Sequence, residues 1–238
     1  LCIQPHPDDM DIGAGGTISY LTGLGTEIIY LTLTDDSAGF TWEFGMEAIP
    51  LSDRKRIRKA EQLKAGEILG VKDYYWLDYP DAGDWSEHEA RNRIIKYIRI
   101  LKPDFVLTVD PWLSYEAHRD HIKCGFAASE ALLLYNFPHI KTDEKTDSNY
   151  NPYEIKGVAY CFTSRPNVII DTGNYREKKF KALAEHKSQF TSESLEILKA
   201  YDEYRSRKLT SDKAFKFGEG FKVLHIDMLH VVPEAASF

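Results

Sequence analysis

Long apolar runs are absent from this chain. None reaches the roughly 18 residues that a membrane-crossing helix needs, so no transmembrane segment and no membrane partner are expected. Cysteine is scarce. Cys2, Cys124 and Cys161 show no CxxC spacing, and Cys2 and Cys161 lie in strand-like apolar runs. That argues against a disulfide framework and for a reducing, cytoplasmic setting. Net positive charge is lacking too: 30 Lys and Arg against 37 Asp and Glu leave -7. Nucleic acid is therefore not expected as a partner, because neutralising phosphates drives that binding. No internal repeat, low-complexity tract or interdomain linker is found. The chain opens inside a strand pattern without an initiator Met. The expectation is a truncated N-terminus, with a signal peptide left open.

What is present suits a packed enzyme-sized domain. The 238 residues are 43% hydrophobic and 28% charged, enough for a core and for solubility. One domain over residues 1–238 is expected. Strand and helix signals alternate, which predicts an α/β, Rossmann-like fold with a mainly parallel sheet covered by helices on both faces. Strands are read at 1–5, 26–34, 73–77, 105–109, 158–162, 168–171 and 222–226. Helices are read from Gly13 to Leu24, from Asp53 to Leu69 with Asp53 as N-cap, around Ile94 to Leu101, from Ile122 to Leu133, and near 175–187 and 193–207. The segments 35–52 and 137–156 read as long loops, which in compact domains often carry function.

Two polar clusters follow predicted strands. His6-Pro7-Asp8-Asp9 comes after the first, and His118-Arg119-Asp120-His121 after the run ending at Val109. Ligands of α/β proteins bind beyond the carboxyl ends of the strands. Two histidines and an aspartate suit an open three-ligand zinc site with room for water. His6 and Asp9 can face one point, while Asp8 points elsewhere, towards a bound water. Asp120 can orient a neighbouring imidazole through its N–H. The plain alternatives are an Asp-rich turn and a solvated charged turn; together the clusters favour the metal. Gly13-Ala14-Gly15-Gly16 invites a dinucleotide reading, but G-x-G-x-x-G needs glycine where Ile18 stands. Trp42, Trp85, Trp112 and Tyr115 lie near the loops and could stack on a sugar, although most aromatic residues are core.

These residues resemble the zinc-dependent N-acetylglucosaminyl deacetylases of the LmbE/PIG-L type. The likeness rests on His6-Pro7-Asp8-Asp9 with its glycine-rich continuation and on His118 to His121. It extends to Arg58 and Glu61 before Leu69-Gly70-Val71, to Lys178 through Gln189, and to Gly218-Glu219-Gly220-Phe221. Within the family it is greatest to the archaeal enzymes acting on diacetylchitobiose, through Asp110 to His118 and Asn151-Pro152-Tyr153. The resemblance implies zinc held by His6, Asp9 and His121, Asp8 as general base, and His118 stabilising the oxyanion. It places Arg58 and Asp81 near the substrate. It implies a homo-oligomer, a hexamer, in which His230 reaches a neighbouring subunit's site. Arg119 departs from the family's usual proline, and Asp36 stands where many members have glycine.

The expected activity is removal of acetyl from an N-acetylglucosamine-type sugar, GlcNAc or diacetylchitobiose. One alternative is deacetylation of a GlcNAc conjugate in thiol-cofactor synthesis. A non-catalytic sugar- or zinc-binding protein is another, disfavoured because a binding site has no need of Asp8 beside the water.

Overall fold

The computed structural model describes residues 1–41, 44 and 49–238. Its strands are β1 (Cys2–Gln4), β2 (Ile29–Thr34), β3 (Asp73–Tyr79), β4 (Val106–Val109), β5 (Val158–Cys161), β6 (Val168–Asp171) and β7 (Gly218–Leu224). The helices are α1 (Asp9–Gly23), α2 (Leu51–Leu69), α3 (Glu87–Leu101), α4 (Arg119–Leu134), α5 (Glu144–Ser148), α6 (Arg176–Leu183) and α7 (Ser192–Leu209). The described strands form one sheet in the order β3-β2-β1-β4-β5-β7-β6. The first five are parallel. β7 runs antiparallel to both β5 and β6. Helices α1, α2 and α6 pack together, as do α3 and α4. The fold is the α/β type that the alternation predicts.

Apart from the edge strand β3, the strands of the parallel part are buried on both faces, so they read as apolar runs rather than alternating ones. Ile3, Tyr30, Leu31, Leu33, Val106 and Val158 are all inaccessible to solvent. The chain leaves β1 towards β2 on one side, while β4 lies on the other. That reversal opens a crevice at the carboxyl ends of β1 and β4. Each flanking strand delivers a loop to it: Pro5 to Asp8 after β1, Asp35 onwards after β2, Asp81 after β3, and Asp110 to His118 after β4. Thr34 donates through both its N–H and its hydroxyl to the Pro5 carbonyl, each at 2.9 Å, tying the β1 and β2 loops together.

Helix α1 starts at Asp9, not at Gly13. Its first residues carry no amphipathic pattern because nearly every side of it is covered. The buried Asp11 carboxylate accepts from Tyr30, from Gln62 and from the partner ring of His186. The glycines lie inside the helix and serve close packing: a Cβ on Gly16 would stand 2.7 Å from Thr172. Here Glu219 of β7 accepts from the backbone N–H groups of Gly16 and Thr17 at 3.0 and 2.7 Å, and from buried Lys179 at 2.9 Å. The N-cap of α2 is Pro50; Asp53 falls in its first turn. The 137–156 segment contains the short α5, fastened by Arg99, which donates to Asp147 and to three backbone carbonyls. Strand β7 begins at Gly218, and Ile226 belongs to a 3-10 turn. No described helix is long and apolar enough to cross a membrane.

Candidate active site

The crevice is a cavity of about 420 Å3 walled by His6, Asp8, Asp9, Asp36, Asp81, His118 and His121, among others. His6 follows β1. His118 is the N-cap of α4, so His121 projects from that helix's first turn. Asp8 occupies the N-cap of α1 with φ of 93°. Positive φ in a non-glycine residue costs energy and persists where surrounding structure imposes it. Asp36 and Ala82, also on the cavity wall, share this conformation.

His6, Asp9 and His121 converge. Their ligating atoms all lie within 4.8 Å of one another. His6 Nδ1 is 3.2 Å from one Asp9 oxygen, and His121 Nε2 is 3.3 Å from the other. Donors about 2.0–2.2 Å from a shared centre, in tetrahedral directions, stand roughly 3.3–3.5 Å apart. The three residues therefore fit one metal ion. The opposite nitrogen of His6, Nε2, lies 3.3 Å from Asp81 and 3.4 Å from Asp120. Asp120 is itself fixed by the Ala82 N–H at 2.8 Å and the Trp85 indole N–H at 2.9 Å. A carboxylate behind a histidine sets its tautomer and raises its basicity as a ligand.

Charge follows the geometry. Burial alone would lower the His6 pKa, but Asp120, Asp81 and Asp9 hold it well above the ordinary histidine value. Burial would raise Asp9; His121 and His6 overcome this and pull it down. The pocket thus favours positive charge between these groups. Asp8 differs. Burial pushes it up, against the pull of Arg58, to about 6. His118 is lowered, by burial and then by His6 and His121. Its Nδ1 accepts from the Asp120 backbone N–H at 3.3 Å, which leaves the ring proton on Nε2.

A profile of the GlcNAc-PI de-N-acetylase family, PIG-L, matches residues 1–132. Over 235 residues the chain is 35% identical to diacetylchitobiose deacetylase of Thermococcus kodakarensis, covering 99% of this chain and 86% of that one. The chain belongs to the PIG-L family. The solved N,N'-diacetylchitobiose deacetylase of Pyrococcus horikoshii superposes with a TM-score of 0.89 at 35% identity, over 98% of this chain and 86% of that one. A probable N-acetyl-alpha-D-glucosaminyl L-malate deacetylase 2 of Bacillus anthracis is 30% identical over 85% of this chain and 86% of its own length.

Of the residues that the sequence singled out, His6, Asp8, Asp9, Asp81, His118, Asp120 and His121 meet at the crevice. Asp120 serves His6 of the other motif rather than its neighbours' rings. Arg58 stands one layer behind the cavity. It is wholly buried. It donates to Asp36, to Asp8 and the Pro7 carbonyl at 3.0 Å each, and to Glu61 at 2.9 Å. It is placed to orient Asp8, not to form the cavity wall. His230 is exposed on the C-terminal segment and is not among the residues that wall this cavity. Trp85 is core, Trp112 and Tyr115 are exposed, and Trp42 lies outside the described residues.

Sequence reading missed Gln62, whose carbonyl oxygen accepts from the Asp8 N–H at 2.9 Å. A signal existed. Arg58, Glu61, Gln62, Ala65 and Leu69 have helical spacing and form the buried stripe of α2. A stripe that is apolar at one end and charged at the other points its polar end at a site.

Proposed function

We propose that this PIG-L protein, an N-acetylglucosaminyl deacetylase, uses a zinc ion held by His6, Asp9 and His121 to hydrolyse the acetamide of GlcNAc or diacetylchitobiose. The observation that carries the mechanism is Asp8: a buried carboxylate on the cavity wall, beside the ligand set, anchored by Arg58 on one oxygen. When bound, zinc polarises the acyl oxygen and makes water acidic enough to ionise near pH 7.

Asp8 takes the proton of the attacking water as its oxygen bonds to the acetamide carbon. A base raised towards neutrality is matched to that task. The Nε2–H of His118 donates to the oxyanion; loss of one such donor costs about 3–4 kcal/mol of barrier. Asp8 then returns its proton to the leaving nitrogen as the C–N bond breaks. Acetate and a free amino sugar result. Asp81 and Asp120 keep His6 oriented throughout, and Arg58 with Gln62 holds Asp8.

The protein works in the cytoplasm as a closed homo-oligomer, a hexamer, in which His230 completes a neighbour's pocket. His230 and Val231, exposed between two 3-10 turns, leave this stretch open to such a contact. The likeness to the Bacillus enzyme favours a GlcNAc conjugate as second substrate class. Acetate release from GlcNAc, diacetylchitobiose and GlcNAc-malate separates the readings. Turnover restricted to GlcNAc-malate would displace the chitin-derived substrate, and no release from any of the three would end the deacetylase assignment.

A further inference from the structure

Gln189 is unusual among the polar groups of the crevice because no described residue hydrogen-bonds to its side chain. It lines the same cavity as Asp8, His118 and Asp36. Its Oε1 is buried without a hydrogen-bond partner. Its carboxamide makes no hydrogen bond to any described residue. Buried polar atoms in folded proteins nearly always have partners; with Oε1 closed off, the Nε2 of the same amide, which is not closed off, is the group that can meet what fills the cavity.

The backbone beneath it is firmly fixed. Ser188 donates through its N–H and its hydroxyl to the two oxygens of Glu61, at 2.9 and 2.7 Å. His186 pairs with Asp11 at 2.8 Å. The Gln189 N–H donates to the His186 carbonyl at 3.0 Å. Gly39, also on the cavity wall, leaves the room: a Cβ there would stand 3.0 Å from Gln189 Oε1. The chain thus builds a rigid base for an unengaged amide. A carboxamide offers a donor and an acceptor side by side. Sugar hydroxyls are both donors and acceptors, whereas the nearby carboxylates Asp8, Asp36 and Asp81, when ionised, only accept.

We infer that Gln189 is a substrate-binding residue that recognises a ring hydroxyl of the amino sugar and so selects sugar acetamides over others. This rests on the deacetylase reading. Its test is a cycle of enzyme and substrate changes, using zinc-loaded wild type and Gln189→Leu with GlcNAc and its 3-, 4- and 6-deoxy analogues, read as acetate release. The variant should lose about tenfold in kcat/KM on GlcNAc, a typical loss for one hydrogen bond to a substrate. Wild type should lose a similar factor on one deoxy analogue, and on that analogue the variant should lose nothing further. Unchanged kcat/KM on GlcNAc, or an equal loss on GlcNAc and every analogue, overturns the inference while wild-type activity leaves the deacetylase reading standing. Wild type inactive on GlcNAc and on the disaccharide overturns both. Zinc content and melting temperature monitor folding. If Gln189→Leu does not fold, Gln189→Glu, which keeps the shape and removes the donor, enters the same cycle.

Discussion

His6 Nε2 lies 3.4 Å from a carboxylate oxygen of Asp120, across 114 residues of sequence. The aspartate between two histidines of one motif therefore supports the histidine of the other. Asp120→Asn keeps the size and weakens the acceptor. Zinc affinity, measured by chelator competition, should fall about 10- to 100-fold, as for other carboxylates behind metal-binding histidines. An affinity equal to wild type would show that Asp81 alone orients His6.

Glu219 holds α1 from inside. Its carboxylate takes two α1 backbone N–H groups and the Lys179 ammonium, all buried. Glu219→Ala leaves Lys179 with Asp202 alone. Removing one partner of a buried ion pair costs about 3–5 kcal/mol. Urea denaturation should report a loss of that order, and a loss under about 1 kcal/mol, the worth of an exposed pair, would contradict the role.

Asp147 fastens the 137–156 segment. Burial alone would raise its pKa, but Thr142 and Arg99 together outweigh this and lower it. A carboxylate with a depressed folded-state pKa contributes stability above its unfolded pKa of about 3.9 and loses it as pH falls through the folded value. Asp147→Asn should therefore lower the melting temperature at pH 7, with the gap to wild type closing below about pH 4. A gap that stays constant from pH 7 to pH 3 would mean that the charge is irrelevant.

The crevice was legible in sequence because each motif is local. His6 to Asp9 and His118 to His121 sit directly after apolar strands, and strand ends in this fold class share one edge. The start of α1 was not legible. Asp9, Asp11 and Gly16 are buried on all sides, so no 3.6-residue pattern marks them. The partners of Arg58 were only partly legible: Glu61 is on its own helix, but Asp8 and Asp36 reach it from two other segments. Gln189 closes a stretch that the family resemblance covers, but that resemblance gave it no role; its significance lies in the hydrogen bonds it lacks among the described residues.

Shared sites make a specific demand on assembly. Closed symmetric oligomers reuse one interface on every subunit. Asp8→Asn and His230→Ala subunits, each inactive alone, should regain turnover when mixed and allowed to exchange. Sedimentation as a monomer, or exchange proven without recovered activity, would count against His230 crossing between subunits.

In the proposed mechanism Asp8 moves the proton while His6, Asp9 and His121 hold the metal. Acetate release from diacetylchitobiose by zinc-loaded wild type and Asp8→Asn, with bound zinc measured on the same samples, tests it most directly. Zinc should stay near the wild-type level while turnover falls by about 100-fold or more, the span of general-base catalysis. Near wild-type turnover by Asp8→Asn at full zinc occupancy would contradict it.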